Sequence, residues 1–165
     1  MSSSARIGLP FIAVNQAQKE VTHNEALVLL DLLTQAVVED RDLTAPPVDP
    51  VDGGVWIVAS PATGDWAGHD GALAQRLDGG WRFVAPFEGL RAWLRDEALE
   101  ARFDGTAWQV GQQRAARLVV GGIPVVGGQQ PAIADPAGGA TVDTEARTAL
   151  SAVLAALRAH GLIAV

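Results

Sequence analysis

Residue types able to carry chemistry are few in this sequence and scattered along it. The three histidines, His23, His69 and His160, lie far apart. None stands with a second histidine or an acid at a metal-ligand interval. His69, in Trp66-Ala67-Gly68-His69-Asp70-Gly71, is the one whose surroundings suit a general base or a ligand in a loop. Nothing beside it completes a catalytic set, so a turn histidine bonding its own loop is the plainer account. There is no cysteine. Thiolate zinc ligands, a thiol nucleophile and a disulfide framework are thereby excluded.

The carboxylates Glu39, Asp40, Asp42, Asp49 and Asp52 are close in sequence. They lack the fixed intervals around a glycine that a calcium loop needs. A solvated acidic edge that discourages strand pairing accounts for them better. Gly121-Gly122 and Gly127-Gly128 lack the lysine and the strand-to-helix setting of a phosphate loop. No Gly-x-Ser-x-Gly elbow occurs. The sequence therefore predicts no catalytic residue, no metal site and no cofactor.

Five tryptophans without a tyrosine are the one compositional oddity. Trp56, Trp66, Trp81, Trp93 and Trp108 suit either of two roles. A large aromatic face stacks on a sugar at low entropic cost, and the same face fills a core. Most of the five read as core, packed between strands and the first helix. Trp66, in its glycine-rich loop, is the best candidate for an exposed one. Trp66 and His69 are accordingly the expected glycan contacts.

The elements that must position these residues follow from the whole chain. Its 165 residues are 48% hydrophobic and 19% charged, which is globular composition. A domain of this size buries roughly 70% of its unfolded surface, enough for a core. The net charge of −7 makes the chain a poor partner for phosphate, so no nucleic acid is expected. No apolar stretch is long enough to span a bilayer, and the first residues lack the apolar run of a signal peptide. A protein made in the cytoplasm, with no membrane partner, is expected.

Residues 1–15 read as an arm, with Ser2, Ser3 and Ser4 mobile and an extended segment around Pro10. Residues 16–112 read as a helix plus an antiparallel β-meander. Thr22-His23-Asn24-Glu25 has capping-box spacing, with Val21 and Ala26 as its staple. The leucines from Leu27 to Leu33 predict a helix buried on more than one side. A strand is expected between Gln35 and Thr44. Strands follow at Val55–Ala59, Ala72–Leu77, Trp81–Ala85, Leu90–Arg95, Ala98–Phe103 and Ala107–Val110. Asp78-Gly79 and Asp104-Gly105 are favoured hairpin turns. Residues 113–140 read as a hairpin turning at Gly121-Gly122 and then a Gly/Pro-rich linker. Residues 141–165 read as an oligomerisation helix. Asp143 is its N-cap and Gly161 its C′ residue, with Leu162 closing a Schellman ending over Leu157. Ala146, Leu150, Val153, Leu157 and His160 are spaced four, three, four, three, which is an a/d seam. Such a helix is marginal alone in water, so its seam packs on its own domain or on sister subunits. The expected fold class is α+β: an N-terminal helix on an antiparallel meander, with a linker and a C-terminal helix.

The run from Leu9-Pro10-Phe11-Ile12 through Gln18-Lys19-Glu20-Val21-Thr22-His23-Asn24-Glu25-Ala26-Leu27 resembles the opening of an uncharacterised-domain family of alphaproteobacterial phages, prophages and gene transfer agents. The resemblance continues through Asp40-Arg41-Asp42-Leu43, Trp66-Ala67-Gly68-His69, Gly80-Trp81-Arg82-Phe83, Pro86 and Gly89, covering roughly residues 6 to 110. The ending, from Val142-Asp143 to Leu162-Ile163, is similar to the terminal helices of tail-fibre proteins. The resemblance implies a virion role in a head spike or tail fibre, without catalysis. Longer relatives carry receptor-binding parts after this domain. The chain stops at Val165, so those parts are expected on a separate polypeptide, which favours a base or adaptor. The expected partners are sister copies, as a trimer or pentamer, and other virion proteins at a capsid vertex or tail. The expected location is the phage-like particle. The competing expectation is a carbohydrate-binding module that meets host surface polysaccharide. A glycan hydrolase would need two placed carboxylates, and nothing marks such a pair.

Overall fold

The computed structural model describes residues 3–12, 19–77, 79–139 and 143–164. Asp78, at one predicted turn, lies outside the described residues, as do Ser2 and the middle of the opening segment. The fold class is α+β, with a helix near each end and mainly antiparallel strands between them. The chain divides into two compact units, residues 1–112 and 113–165.

The first unit begins with a docked strap. Ser3 and Pro10 form an antiparallel bridge, and the strap lies on α1 (Lys19–Leu33). Its anchor is Asp31, a carboxylate with no solvent exposure. Asp31 accepts hydrogen bonds from the Ser4 hydroxyl at 2.8 Å, the Arg6 N–H at 3.0 Å and the Ile7 N–H at 2.6 Å. The Arg6 guanidinium then caps the carboxyl end of α1. It donates to the carbonyls of Asp31, Leu32 and Gln35, where the last turn has no further N–H groups to offer. Further along, the Asn24 side chain exchanges two hydrogen bonds with the backbone of Ile12. Ser4 is therefore buried and fixed, not mobile as expected from a serine-rich terminus.

Two expectations for α1 fail. Thr22 lies inside the helix, because Lys19 and Glu20 are already helical and no cap is needed there. Nor is the helix buried on several sides. Leu32 is fully buried, but Val21, Leu29 and Leu30 are exposed. The leucine-rich surface is wider than the sheets it meets.

A turn through Gln35, held at a positive φ of 50°, leads into β1 (Ala36–Val38). β1 lies parallel to β5 (Arg91–Leu94), which continues antiparallel through β6 (Leu99–Phe103) to β7 (Trp108–Val110). The continuation of β1 runs beside β2 (Val55–Ile57) instead. The N–H of Glu39 donates to Val55, that of Ile57 to Asp40, and that of Ala59 to Leu43. β2 pairs antiparallel with β3 (Leu73–Leu77), and β3 with β4 (Gly80–Val84). The expected single meander is thus two sheets. The chain changes sheet at Pro86–Gly89, and one segment, 36–44, hydrogen-bonds to both. Leu32, Ala36, Val38, Val55, Ile57, Leu73 and Leu94 form the shared core.

The other face of the β2–β3–β4 sheet holds a second cluster of Trp56, Val58, Trp66 and Ala74. A single 3-10 turn at Gly64–Trp66 drops the Trp66 indole over it.

In the second unit, β8 (Leu118–Val120) and β9 (Ile123–Val126) form a hairpin. Gly121 and Gly122 turn it with φ of 58° and 82°. Both values lie where a side chain would be strained, which is why glycine stands there. α2 (Thr144–Ala159) follows. Asp143 accepts the N–H of Ala146. The Leu162 N–H reaches the Leu157 carbonyl and the Gly161 N–H reaches Arg158, the two bonds of a Schellman ending. The stretch expected to be a linker is instead tied to this helix. Arg158 pairs with Asp135 and donates to the Ile133 carbonyl, and Gln130 bridges to Ile163.

Replacing Asp31 by Ala should lower the stability of the first unit by about 3 kcal/mol, because three donors lose a buried acceptor. Urea titration followed by tryptophan fluorescence measures it. Asp31→Asn, which keeps one carbonyl oxygen, should cost less.

Candidate functional site

The predicted chemical residues do not converge. His69 stacks flat on Phe83, with ring centroids 3.6 Å apart, so its ring is held by packing. His23 is exposed on α1, and His160 is the C-cap of α2. Two members of the acidic run, Glu39 and Asp42, pair with arginines. Arg95 pairs with Glu39 at 2.9 Å, and Arg41 lies between Asp42 and Glu97. The hydrogen bond to Glu97 raises the Arg41 pKa further above its ordinary value. Among the described residues, no three potential metal ligands come together. No helix of the described residues is long and apolar enough to cross a membrane.

Trp66 corrects the expectation of an exposed tryptophan. It is completely buried, with its ring 5.2 Å from Trp81 and 6.4 Å from Trp56. The glycines around it let the loop fold inward and do not present it to solvent. Trp81 also carries the Arg76 guanidinium 5.4 Å above its ring. Trp108 packs instead on the shared core beside Phe103, and donates its indole N–H to the Gly71 carbonyl. The loop closes through Asp70, which accepts the Ala62 N–H at 2.9 Å. That bond, with a second from Ser60, holds the Asp70 carboxyl below its ordinary value of 3.8.

The exposed tryptophan is Trp93, at 47%. It stands on the outer face of β5, where Arg91 and Trp93 alternate with buried Ala92 and Leu94. Beside it an open groove of about 760 Å³ is lined by Leu33, Gln35, Val37, Phe87, Arg91 and Glu100. Arg91 and Glu100 form an ion pair at 3.0 Å. The signal in the sequence was the parity of Arg91-Ala92-Trp93-Leu94. Trp93 shares its strand face with an arginine, and strand faces alternate.

The second surface is on α2. Arg147, Ser151, Leu154 and Arg158 recur at four, three and four, and this stripe lies against its own unit. Leu154 is 4% exposed there, and Arg147 reaches the Gly138 carbonyl. The predicted seam is a different stripe, about a quarter-turn around the helix. Its members Leu150 and Val153 are 48% and 54% exposed, Ala146 and His160 are exposed, and Leu157 is half-buried. The five share one stripe, which is open at every member except the half-buried Leu157. The helix thus has two usable faces and covers one. The hairpin beside it in sequence is also exposed, a feature that the sequence marked only by an uncharged run from Leu118 to Ala134.

Comparison with known families matches residues 23–109 to a model described as "Protein of unknown function (DUF2793)". Comparison with curated proteins gives no match.

The lowered pKa of Asp70 sets a pH window. A depressed carboxylate stabilises the fold above its unfolded value and loses that contribution as the pH falls through the folded one. The loop over Trp66 should therefore stay closed at neutral pH and loosen below pH 3.8. Near-ultraviolet circular dichroism of the tryptophan cluster, followed down an acid titration, reads this. Asp70→Asn should flatten the transition.

Proposed function

The chain belongs to the DUF2793 family, to which no function is assigned, and from that premise we propose that it is a non-enzymatic structural subunit of a phage-like particle. In this reading it is a self-associating base or adaptor on which a head spike or tail fibre is mounted. One observation carries it. α2 buries one stripe in its own unit and leaves a second, with a/d spacing, open to solvent. A helix of this length gains little from a solvated apolar seam, and it gains a great deal from packing that seam on identical helices. Self-association by closed symmetry is the usual outcome for such a subunit.

Two further features support the reading. His69 is held by stacking on Phe83, and Glu39 and Asp42 are held in ion pairs with Arg95 and Arg41. The opening segment, whose resemblance points to virion proteins, supplies the strap that locks α1 through Asp31. A rigid first unit and a self-associating second unit suit a part that joins two assemblies. The rest of a spike or fibre, and the capsid vertex or tail beneath, would be the partners.

A second reading has its own observation. Trp93 and Phe87 are exposed along the groove that holds the Arg91–Glu100 pair. An aromatic platform flanked by planar charged groups suits a glycan, so the subunit also meets host polysaccharide in this reading. It moves the glycan contact from Trp66 and His69 to Trp93.

Light scattering on a sizing column, across a dilution series, tests the first reading. The expected result is a defined oligomer at micromolar concentration, and a monomer throughout sinks it. Leu150→Asp combined with Val153→Asp should shift the oligomer towards monomer, by tenfold or more in the midpoint concentration. For the second reading, Trp93→Ala should abolish a fluorescence change on adding host polysaccharide, while Trp66→Phe should leave that change in place.

A further inference from the structure

The β8–β9 hairpin is built as if it had no outside. Its large apolar residues, Leu118, Val119, Val120, Ile123, Val125 and Val126, are all exposed, Ile123 at 67%. Directly paired residues of an antiparallel hairpin share a face, and successive residues alternate. The register pairs Val120 with Ile123 and Val119 with Pro124. Val120 and Ile123 therefore stand on one face, Val119 and Pro124 on the other, and both faces are apolar.

An isolated two-stranded hairpin is marginal in water, and soluble monomers rarely expose apolar patches beyond a few hundred Å². Something covers both faces. The charge pattern selects the cover. The chain carries −7 overall, so copies repel one another at long range. No charged residue lies between Arg117 and Asp135. This is a surface on which two copies meet without desolvating a charge or opposing like charges. A charged partner would find nothing there to pair with.

Symmetry narrows the arrangement. A two-fold dimer places one face against the same face and leaves the other in water. Head-to-tail contacts around a closed ring cover both. We propose that the β8–β9 hairpin is a subunit interface whose occupants are the same hairpins of two sister copies, in a closed ring of at least three subunits. This rests on the adaptor reading and adds a second contact, separate from the α2 seam.

The native chain has no cysteine, so introduced ones report alone. The test uses the full-length double variant Val119→Cys/Ile123→Cys, which carries one thiol on each face. A short bismaleimide is added at concentrations where light scattering gives the oligomer. The expected result is a covalent ladder on a denaturing gel that ends at the stoichiometry seen by scattering, three or more. A ladder that stops at the dimer overturns the ring. An intact oligomer with no cross-link overturns the hairpin interface and leaves the adaptor reading standing on α2. A monomer at every concentration overturns both. Val125→Lys serves as the second variant, in case the thiols perturb folding. It should raise the half-assembly concentration at least tenfold with an unchanged tryptophan melting curve. An unchanged mass against dilution overturns the proposal.

Discussion

The first unit hangs on a corner made by one buried carboxylate and one arginine. Asp31 lies at the end of α1 and is fully enclosed. A buried carboxylate needs several donors, and the strap from Ser4 to Ile7 supplies three. Arg6, in the same strap, satisfies the carbonyls that the helix end leaves open. The corner fixes where Gln35 turns and where β1 starts. From β1 onward, one segment bonds first to β5 and then to β2. Both sheets are positioned by that shared segment. The strap, the helix end and the two sheets therefore form one dependent chain of contacts, with Asp31 at its origin.

The two faces of the β2–β3–β4 sheet solve different packing problems. One face meets Leu32, Val38 and Leu94 in the shared core. Among the described residues of this unit, no second sheet lies over the other. The loop from Ser60 to Gly71 covers it by inserting Trp66 against Trp56 and Trp81. Trp81 meets both of the other indoles edge-to-face, an arrangement that pairs ring edge with ring face. Most of the aromatic content thus goes to closing the fold. Trp93 is left exposed, with a groove beside it.

The second unit follows the opposite economy. It holds a few contacts tightly, through Leu154, Ile163 and the Arg158–Asp135 pair. It leaves the hairpin and the seam uncovered. A short segment of this kind encloses little core by itself, since its surface is large for its volume. Association with other copies would supply the missing volume. That is the physical link between the residues of 113–165 and the adaptor role proposed for the chain.

Local rules were legible in the residues. Asp143 as N-cap, the Gly161–Leu162 ending and the Gly121-Gly122 turn depend on neighbours a few positions away, and all three stand where their sequence signals lie. Strand positions were legible for the same reason, from alternation and turn residues. The a/d seam was legible as a stripe, because helical spacing alone defines it. Burial was not. Trp66 read as exposed because its loop is rich in glycine, yet glycine freedom lets a loop fold in as readily as out. Thr22 read as a cap because its spacing fits, but a cap also requires that the helix start there. The sheet change at Pro86–Gly89 and the double pairing of 36–44 depend on residues far apart in sequence, and no local signal encodes them. The Asp31 anchor joins positions about 25 residues apart, so an aspartate among leucines on a helix became a structural keystone only when the strap was laid against it.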